Sequence, residues 1–353
     1  MKSYCKRLEI DEAIVGEAFE EWRAGEAGRK NAWRVERDYG TPEALIAEIA
    51  KEVRERSLQT SPISYRLRVE PTNGKVREIA IESVKQQVMD YTAVHCLQPL
   101  LDARIGHYQT ASISGKGQVW AKRHIERWVH DGGYFVKTDV RKCYPSTSHE
   151  VCMKVLRKYV KSADVLYLCE YLLSTYKPGL NIGSYFSLEI ENLILSFAYH
   201  HIESLHKERR GKKIALVAHQ LWFMDDCLLV GPDKRNLKQA VRSVAKYLRE
   251  EFGLELKAWK ICKIGHEHIT MCGFTIWPEK TVVAAGTFLR AKRCFARLFR
   301  KPIARLARRA CSYFGWLKHS DSYGFMRSHG IWKAMRMARS VVSMDDRREA
   351  CSM

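Results

Sequence analysis

The segment Leu221-Trp222-Phe223-Met224-Asp225-Asp226-Cys227-Leu228-Leu229-Val230-Gly231 sets two adjacent carboxylates between two apolar runs, and Gly231-Pro232 closes it. Short apolar runs bounded by turn residues read as buried strands, so Ala215–Val230 is expected to be a β-hairpin with both aspartates at its turn. Two carboxylates at the tip of an apolar hairpin repel each other and lose hydration. A divalent cation relieves both penalties, which makes the tip a candidate Mg²⁺ site of the nucleotidyl-transfer kind. The competing reading is a solvated turn, where Asp is common in its own right. A third carboxylate in a suitable context decides between the two.

That context comes from the periodicity. Residues 1–60 read as helical, with Thr41 as an N-cap, Pro42 at the first helical position, and a stripe of Leu45, Ile46, Ile49 and Val53. Tyr65, Leu67 and Val69 then alternate with Arg66, Arg68 and Glu70, and Asn73-Gly74 signals a hairpin turn. Lys75, Val76, Arg77, Ile79 and Ile81 lie on the return strand, with Lys75 and Arg77 on one face. Residues 83–131 read as mostly helical. Tyr134–Val140 reads as a strand carrying Asp139 near its end, followed by helices over His149–Tyr159, 187–206 and Leu237–Phe252. Leu254–Ile261 reads as a strand and Ile269–Val283 as a hairpin turning at Pro278-Glu279-Lys280. Helices follow from Phe288. Strand, helix, helix, hairpin, helix, strand suits an α+β fold, an antiparallel sheet backed by helices.

Charge points to the partner. The formal net charge is +20, and it is unevenly placed. Residues 1–60 hold 11 Lys/Arg against 13 Asp/Glu, whereas residues 287–340 hold 14 Lys/Arg against the single acid Asp321. A basic excess confined to one element implies a polyanion, most simply nucleic acid. Arg290, Arg293, Arg297 and Arg300 recur at helical spacing and are expected to line one helix face as phosphate contacts. No apolar run is long enough for a membrane span, Met1–Glu12 does not read as a signal peptide, and no membrane partner is expected. The 11 cysteines include no CxxC pair, which argues against structural zinc and fits a reducing cytoplasm.

Five short motifs then occur in a familiar order. Phe135-Val-Lys-Thr-Asp139-Val-Arg-Lys-Cys-Tyr144 resembles the first catalytic motif of reverse transcriptases, and Phe223-Met-Asp225-Asp226 the third. Gly179-Leu-Asn-Ile182-Gly183-Ser-Tyr-Phe-Ser187 is similar to the motif that meets the incoming nucleotide. Asn73-Gly-Lys75-Val-Arg77 resembles the fingers segment that grips the triphosphate, and Met271-Cys-Gly273-Phe-Thr-Ile276 the hairpin that holds the primer end. One such motif is weak; five in order over Ser61 to Arg339 are specific.

The resemblance, with the bacterial, non-retroviral enzymes in particular, implies a right-hand polymerase. Residues 1–60 would be an N-terminal extension and 61–133 fingers. Residues 134–285 would be palm, with an inserted fingers segment at about 150–180. Residues 286–340 would be a basic helical thumb and 341–353 a tail. It implies RNA-directed DNA synthesis in which Asp139, Asp225 and Asp226 hold two Mg²⁺ ions, with Mn²⁺ as a substitute, roughly 3.5–4 Å apart. Lys75, Arg77, Tyr144, Ile182 and Gly183 would contact the dNTP, Tyr144 by excluding a 2′-hydroxyl. Ile182 departs from the family's frequent Gln and offers no hydrogen bond to the nucleotide. Lys257, Lys260 and Lys263 are all placed to protonate the leaving pyrophosphate, and nothing in the sequence chooses among them.

Expected partners are an RNA template, a primer or cDNA, and a dedicated non-coding RNA or accessory protein. Little chain follows Arg339, so no RNase H or integrase is expected. Ile182-Gly-x-x-x-Ser187 and Ser312-Tyr-Phe-Gly-Trp-Leu-Lys318 resemble the diversity-generating retroelement and defence-associated groups. Two alternatives stay open: an RNA-templated RNA polymerase or primase on the same palm, and a non-catalytic RNA-binding scaffold.

Overall fold

The computed structural model describes residues 3–70 and 74–351. The Asn73 half of the expected Asn73-Gly74 turn lies outside the described residues. The chain divides into two compact units, the first formed by Met1–Gln109, Thr138–Ala215 and Gln239–Ala258, the second by Thr110–Lys137, Leu216–Lys238 and Trp259–Met353.

Helices α1 (Glu12–Ala24), α2 (Glu26–Tyr39) and α3 (Pro42–Glu55) open the first unit. Thr41 caps α3 by accepting the Ala44 N–H at 3.2 Å, Pro42 takes the position where a missing N–H costs nothing, and Leu45, Ile49 and Val53 are buried. Strands β1 (Ser64–Val69) and β2 (Val76–Ile81) form an antiparallel ribbon with Tyr65 opposite Ala80 and Arg68 opposite Arg77. Alternation of this kind normally marks a covered face, yet Leu67 and Val69 are 69% and 60% exposed, because the sheet stops at two strands. Helix α4 (Val84–Arg104) is buried on nearly every side and packs against α1.

The chain continues through α5 (Gln118–Trp128), β3 (Tyr134–Asp139), the single turn α6 (Cys143–Ser146), α7 (His149–Tyr159), α8 (Ala163–Ser174) and α9 (Tyr185–Ser204). Helices α8 and α9 also pack on α4, so three layers of helix share one core in this unit. A second ribbon, β4 (His206–Arg209) with β5 (Lys212–Ala215), follows where the sequence pattern predicted none. Its strands are charged on both faces and carry no alternation to read.

Strands β6 (His219–Phe223) and β7 (Asp226–Gly231) pair antiparallel with Leu221 opposite Leu228. After α10 (Lys234–Phe252), β8 (Ile261–Lys263) pairs antiparallel with β3, Phe135 opposite Cys262. The four-stranded sheet runs β6-β7-β3-β8. The strand expected over Leu254–Ile261 therefore begins only at Ile261. Before it, the Lys257 N–H donates to the Asp139 carbonyl at 2.8 Å and Thr138 Oγ1 donates to the Lys257 carbonyl at 3.1 Å. These bonds, with an isolated Val140–Leu256 bridge, replace a regular ladder.

The expected Ile269–Val283 hairpin is three strands, β9 (Ile269–Met271), β10 (Phe274–Ile276) and β11 (Thr281–Val283). Cys272 and Gly273, at φ +51° and +78°, make an extra two-residue turn of the kind that matches strand twist. Helices α11 (Ala285–Arg300), α12 (Ala304–Lys318), α13 (Tyr323–Ser328) and α14 (Ile331–Cys351) then share a core that includes Phe295, Leu298, Leu317 and Ile331.

Gly273 ties the meander to this helical cluster. A Cβ there would lie 2.1 Å from Trp316 Cζ3. Gly273→Ala is expected to destabilise the chain by about 3 kcal/mol, through left-handed strain plus overpacking. The urea midpoint should fall, and Trp316→Leu in the same chain should recover part of it. An unchanged midpoint would mean that the ring is free to move away.

Candidate active site

The hairpin tip is built by a two-residue turn. Phe223 pairs with Asp226, leaving Met224 and Asp225 between the strands, with Met224 at φ +52°. Asp225 thus sits in the turn, while Asp226 is the first residue of β7, one place past the turn position expected for it. Leu221, Trp222 and Cys227–Val230 are buried, so the carboxylates emerge at the end of an apolar hairpin. The N–H and hydroxyl of Thr110 both donate to the Trp222 carbonyl, at 2.9 and 3.1 Å, which anchors β6 beside the tip. Asp226 Oδ1 meets Lys137 Nζ at 2.9 Å, each side chain about one-third exposed. Burial, then the Asp226 carboxylate, pushes the Cys272 thiol up to about 12, which puts the β9–β10 turn within electrostatic reach of Asp226.

Asp139 ends β3. Its Oδ2 accepts from Lys257 Nζ at 2.6 Å, while its Oδ1 is buried with no hydrogen-bond partner. Of the three lysines left open by the sequence, Lys257 is the one on this carboxylate. Lys260 is paired at 2.6 Å with Glu267, and Lys263 is exposed on β8. Lys137, missed in the sequence, lies two residues before Asp139 and so shares its face of β3. That spacing was the available signal.

In the first unit the glycine loop docks on the exposed ribbon. The Ala80 N–H donates to the Ile182 carbonyl at 2.8 Å. Gly183 has φ +114°, and a Cβ there would stand 2.9 Å from the Ala80 carbonyl oxygen, so the approach requires glycine. Tyr144, half-buried on α6, accepts the Leu180 N–H on its carbonyl at 2.8 Å, which joins the first and second motifs. Next to it, Cys143 Sγ and Thr147 Oγ1 donate to the buried Glu191 of α9. Lys75 lies just before β2, and Arg77 forms an ion pair with Glu70.

In the second unit, α11 turns Ala291, Cys294, Phe295 and Leu298 inward. Arg293, Arg297 and Arg300 are exposed, while Arg290 is half-buried and donates to Thr287 Oγ1 at 3.0 Å. The helix therefore carries the expected arginine face.

Within the first unit the structure joins Tyr144, the Ile182–Gly183 loop and the ribbon of Arg77, and sets Asp139 on Lys257. Within the second it joins Asp226 to Lys137. Among the described residues, no group of three or more His, Cys, Asp or Glu is gathered as a metal cage. Mg²⁺ does not require one: it binds through one or two carboxylates and takes its other oxygens from water and substrate phosphates. In the first unit the unpartnered Asp139 Oδ1, and separately in the second the carboxylates of Asp225 and Asp226, are hard oxygen donors of the kind that ion takes. No helix among the described residues is long and apolar enough to cross a membrane.

Comparison with known proteins gives the family. A sequence profile of reverse transcriptase (RNA-dependent DNA polymerase) matches residues 69–276. No curated protein matches the chain. Among solved structures, apo telomerase from Candida tropicalis superposes with a TM-score of 0.50 at 13% identity, over 81% of this chain and 58% of that one. BmCPV RNA-dependent RNA polymerase at the quiescent state gives 0.47 at 12% identity, over 78% of this chain and 27% of that one. The chain thus spans 58% of the telomerase chain and 27% of the viral polymerase chain.

Proposed function

The chain belongs to the reverse transcriptase (RNA-dependent DNA polymerase) family, and from that premise we propose that it copies an RNA template into DNA. The reaction joins a primer 3′-oxygen to the α-phosphorus of a dNTP and releases pyrophosphate. The observation that carries the reading is the Asp139 carboxylate, whose Oδ1 is buried without a donor. A buried acceptor left bare in a folded protein is costly unless an ion or ligand completes it. Asp139, Asp225 and Asp226 are the proposed ligands. Bound Mg²⁺ would supply charge stabilisation of the attacking and leaving oxygens. Lys257 and Lys137 meanwhile neutralise Asp139 and Asp226.

The remaining proposed roles are those that the motif resemblance implies. Lys75 and Arg77 contact the triphosphate, Arg77 by exchanging Glu70 for phosphate oxygens. Ile182 and Gly183 face the base pair, and Tyr144 excludes the ribose 2′-hydroxyl. Arg290, Arg293, Arg297 and Arg300 track the duplex backbone by charge. The setting is the bacterial cytoplasm, in a retroelement or antiphage defence system with its own RNA or accessory protein. Buried thiols such as Cys96, Cys152 and Cys169 suit such a reducing compartment.

Paramagnetic Mn²⁺ tests the carrying observation. With dNTP present, Asp139→Asn is expected to weaken Mn²⁺ binding at least about tenfold, because an amide oxygen lacks the ligand charge. Equal Mn²⁺ affinity in both proteins would remove Asp139 from the metal set.

A further inference from the structure

The N-terminus of α9 is held by an acid that no motif contains. Asp90, mid-way along α4, is 0% exposed. Its Oδ2 accepts the Ser184 hydroxyl at 2.6 Å and the Phe186 N–H at 3.1 Å. The Tyr176 hydroxyl lies 2.8 Å from Ser184 Oγ and 3.5 Å from Asp90 Oδ1. Ser184 Oγ in turn accepts the Ser187 N–H at 3.0 Å and so caps α9. Glu82, also buried with Oε1 unpartnered, lies within electrostatic reach of Asp90.

The charges are arranged consistently. A carboxylate at a helix N-terminus meets unsatisfied N–H groups and the positive end of the helix dipole, which favours an ionised Asp90. Burial nevertheless raises Asp90 to about 6, against the lowering bonds from Ser184 and Phe186. Burial, then the charge of Asp90, pushes Glu82 up, so the second carboxyl resists ionising beside the first.

A core contact does not call for this arrangement. Ser184 alone suffices as a cap, and an apolar residue at position 90 would fill the same space without desolvating a charge. The bonds converge instead on the residues flanking Gly183. On one side, the Ala80 N–H holds the Ile182 carbonyl and the Tyr65 hydroxyl donates to Asn181 Oδ1 at 3.2 Å. On the other, Asp90 holds Ser184 and Phe186. The glycine is clamped from both ends.

We propose that Asp90 is a positioning residue for nucleotide selection: through Ser184 it fixes the stance of Gly183 toward the incoming deoxynucleoside triphosphate. The inference rests on the reading that this loop meets the nucleotide. No bond is made or broken by its carboxyl.

Single-nucleotide incorporation at saturating primer–template tests it. Ser184→Ala should raise the KM for dNTP roughly tenfold, the equivalent of one charge-assisted hydrogen bond, with kcat changed by less than about threefold. Tyr176→Phe should raise KM by about threefold. Asp90→Ala, which removes both acceptor oxygens, should raise KM at least as far as Ser184→Ala, and Asp90→Asn, which keeps an oxygen for the Ser184 and Phe186 donors, should bring KM back to within about threefold of wild type. Active-site titration with labelled primer separates misfolding, which reads as fewer sites, from altered positioning, which reads as KM. Unchanged KM in Asp90→Ala or in Ser184→Ala, or a loss of kcat at unchanged KM, overturns the inference while wild type remains active. A wild type that extends no primer overturns the functional reading beneath it.

Discussion

Asp225→Ala combined with Asp226→Ala is expected to reduce primer extension by at least about 10³-fold while leaving duplex binding within about twofold. The asymmetry follows from where the charges act. Carboxylates that hold metal are used in the transition state, whereas the duplex contacts proposed above are the arginines of α11, far along the chain from the hairpin. The fold should survive. Asp226 and Lys137 are each about one-third exposed, so losing that pair costs about 1 kcal/mol or less. Extension and filter binding, measured on the same preparation, check both halves. Retained extension would show that the chemistry lies elsewhere; loss of both activities together would show a folding defect instead.

Tyr144→Ala should relax sugar discrimination by on the order of 10²-fold, read as the ratio of kcat/KM for dNTP over rNTP. The argument is steric. Tyr144 is half-buried on the one-turn helix α6, and its carbonyl is tied to Leu180 in the loop that leads to Gly183. Its backbone is therefore fixed to the segment proposed to meet the nucleotide, and truncation opens space without moving that segment. Tyr144→Phe should keep the discrimination, since bulk and not the hydroxyl does the excluding. A ratio unchanged by Tyr144→Ala would contradict the role. A wild type that prefers rNTP would favour the RNA polymerase alternative.

What the sequence revealed was local. The Asp225–Asp226 hairpin declared itself through apolar runs of strand length, and Thr41-Pro42 through capping chemistry that needs no partner. The helices over His149–Tyr159 and Leu237–Phe252 are legible from their apolar period; Ser148 caps the first, and Asp233, accepting the Asn236 N–H, starts the second three residues earlier, at Lys234. Patterns failed where tertiary bonds override them. The segment after Leu254 has strand-like residues, but Thr138 and Lys257 bind it to the end of β3 by irregular hydrogen bonds. The turn at Cys272-Gly273 divides a run read as one strand because Trp316, many residues on, packs over the glycine. The ribbon of β4 and β5 has no apolar face, so periodicity is silent about it.

The site shows the same division. Motif residues carry chemistry that is recognisable one by one, so the three aspartates could be named from their surroundings in sequence. Their supporting partners could not. Lys257 lies 118 residues from Asp139, and Asp90 lies 94 residues from Ser184, so no sequence window contains either pair. A fully buried acid beside buried Val88, Met89 and Ala93, as Asp90 is in α4, is the trace such a network leaves.

Extension of a DNA primer on a defined RNA template by the purified chain, with the product sequenced, is the most direct measurement of the central claim. The account predicts a DNA strand complementary to the template, made from dNTPs, dependent on added Mg²⁺ and absent in the Asp225→Ala, Asp226→Ala protein. Extension that persists in that variant, or no templated product from the wild type, would contradict it.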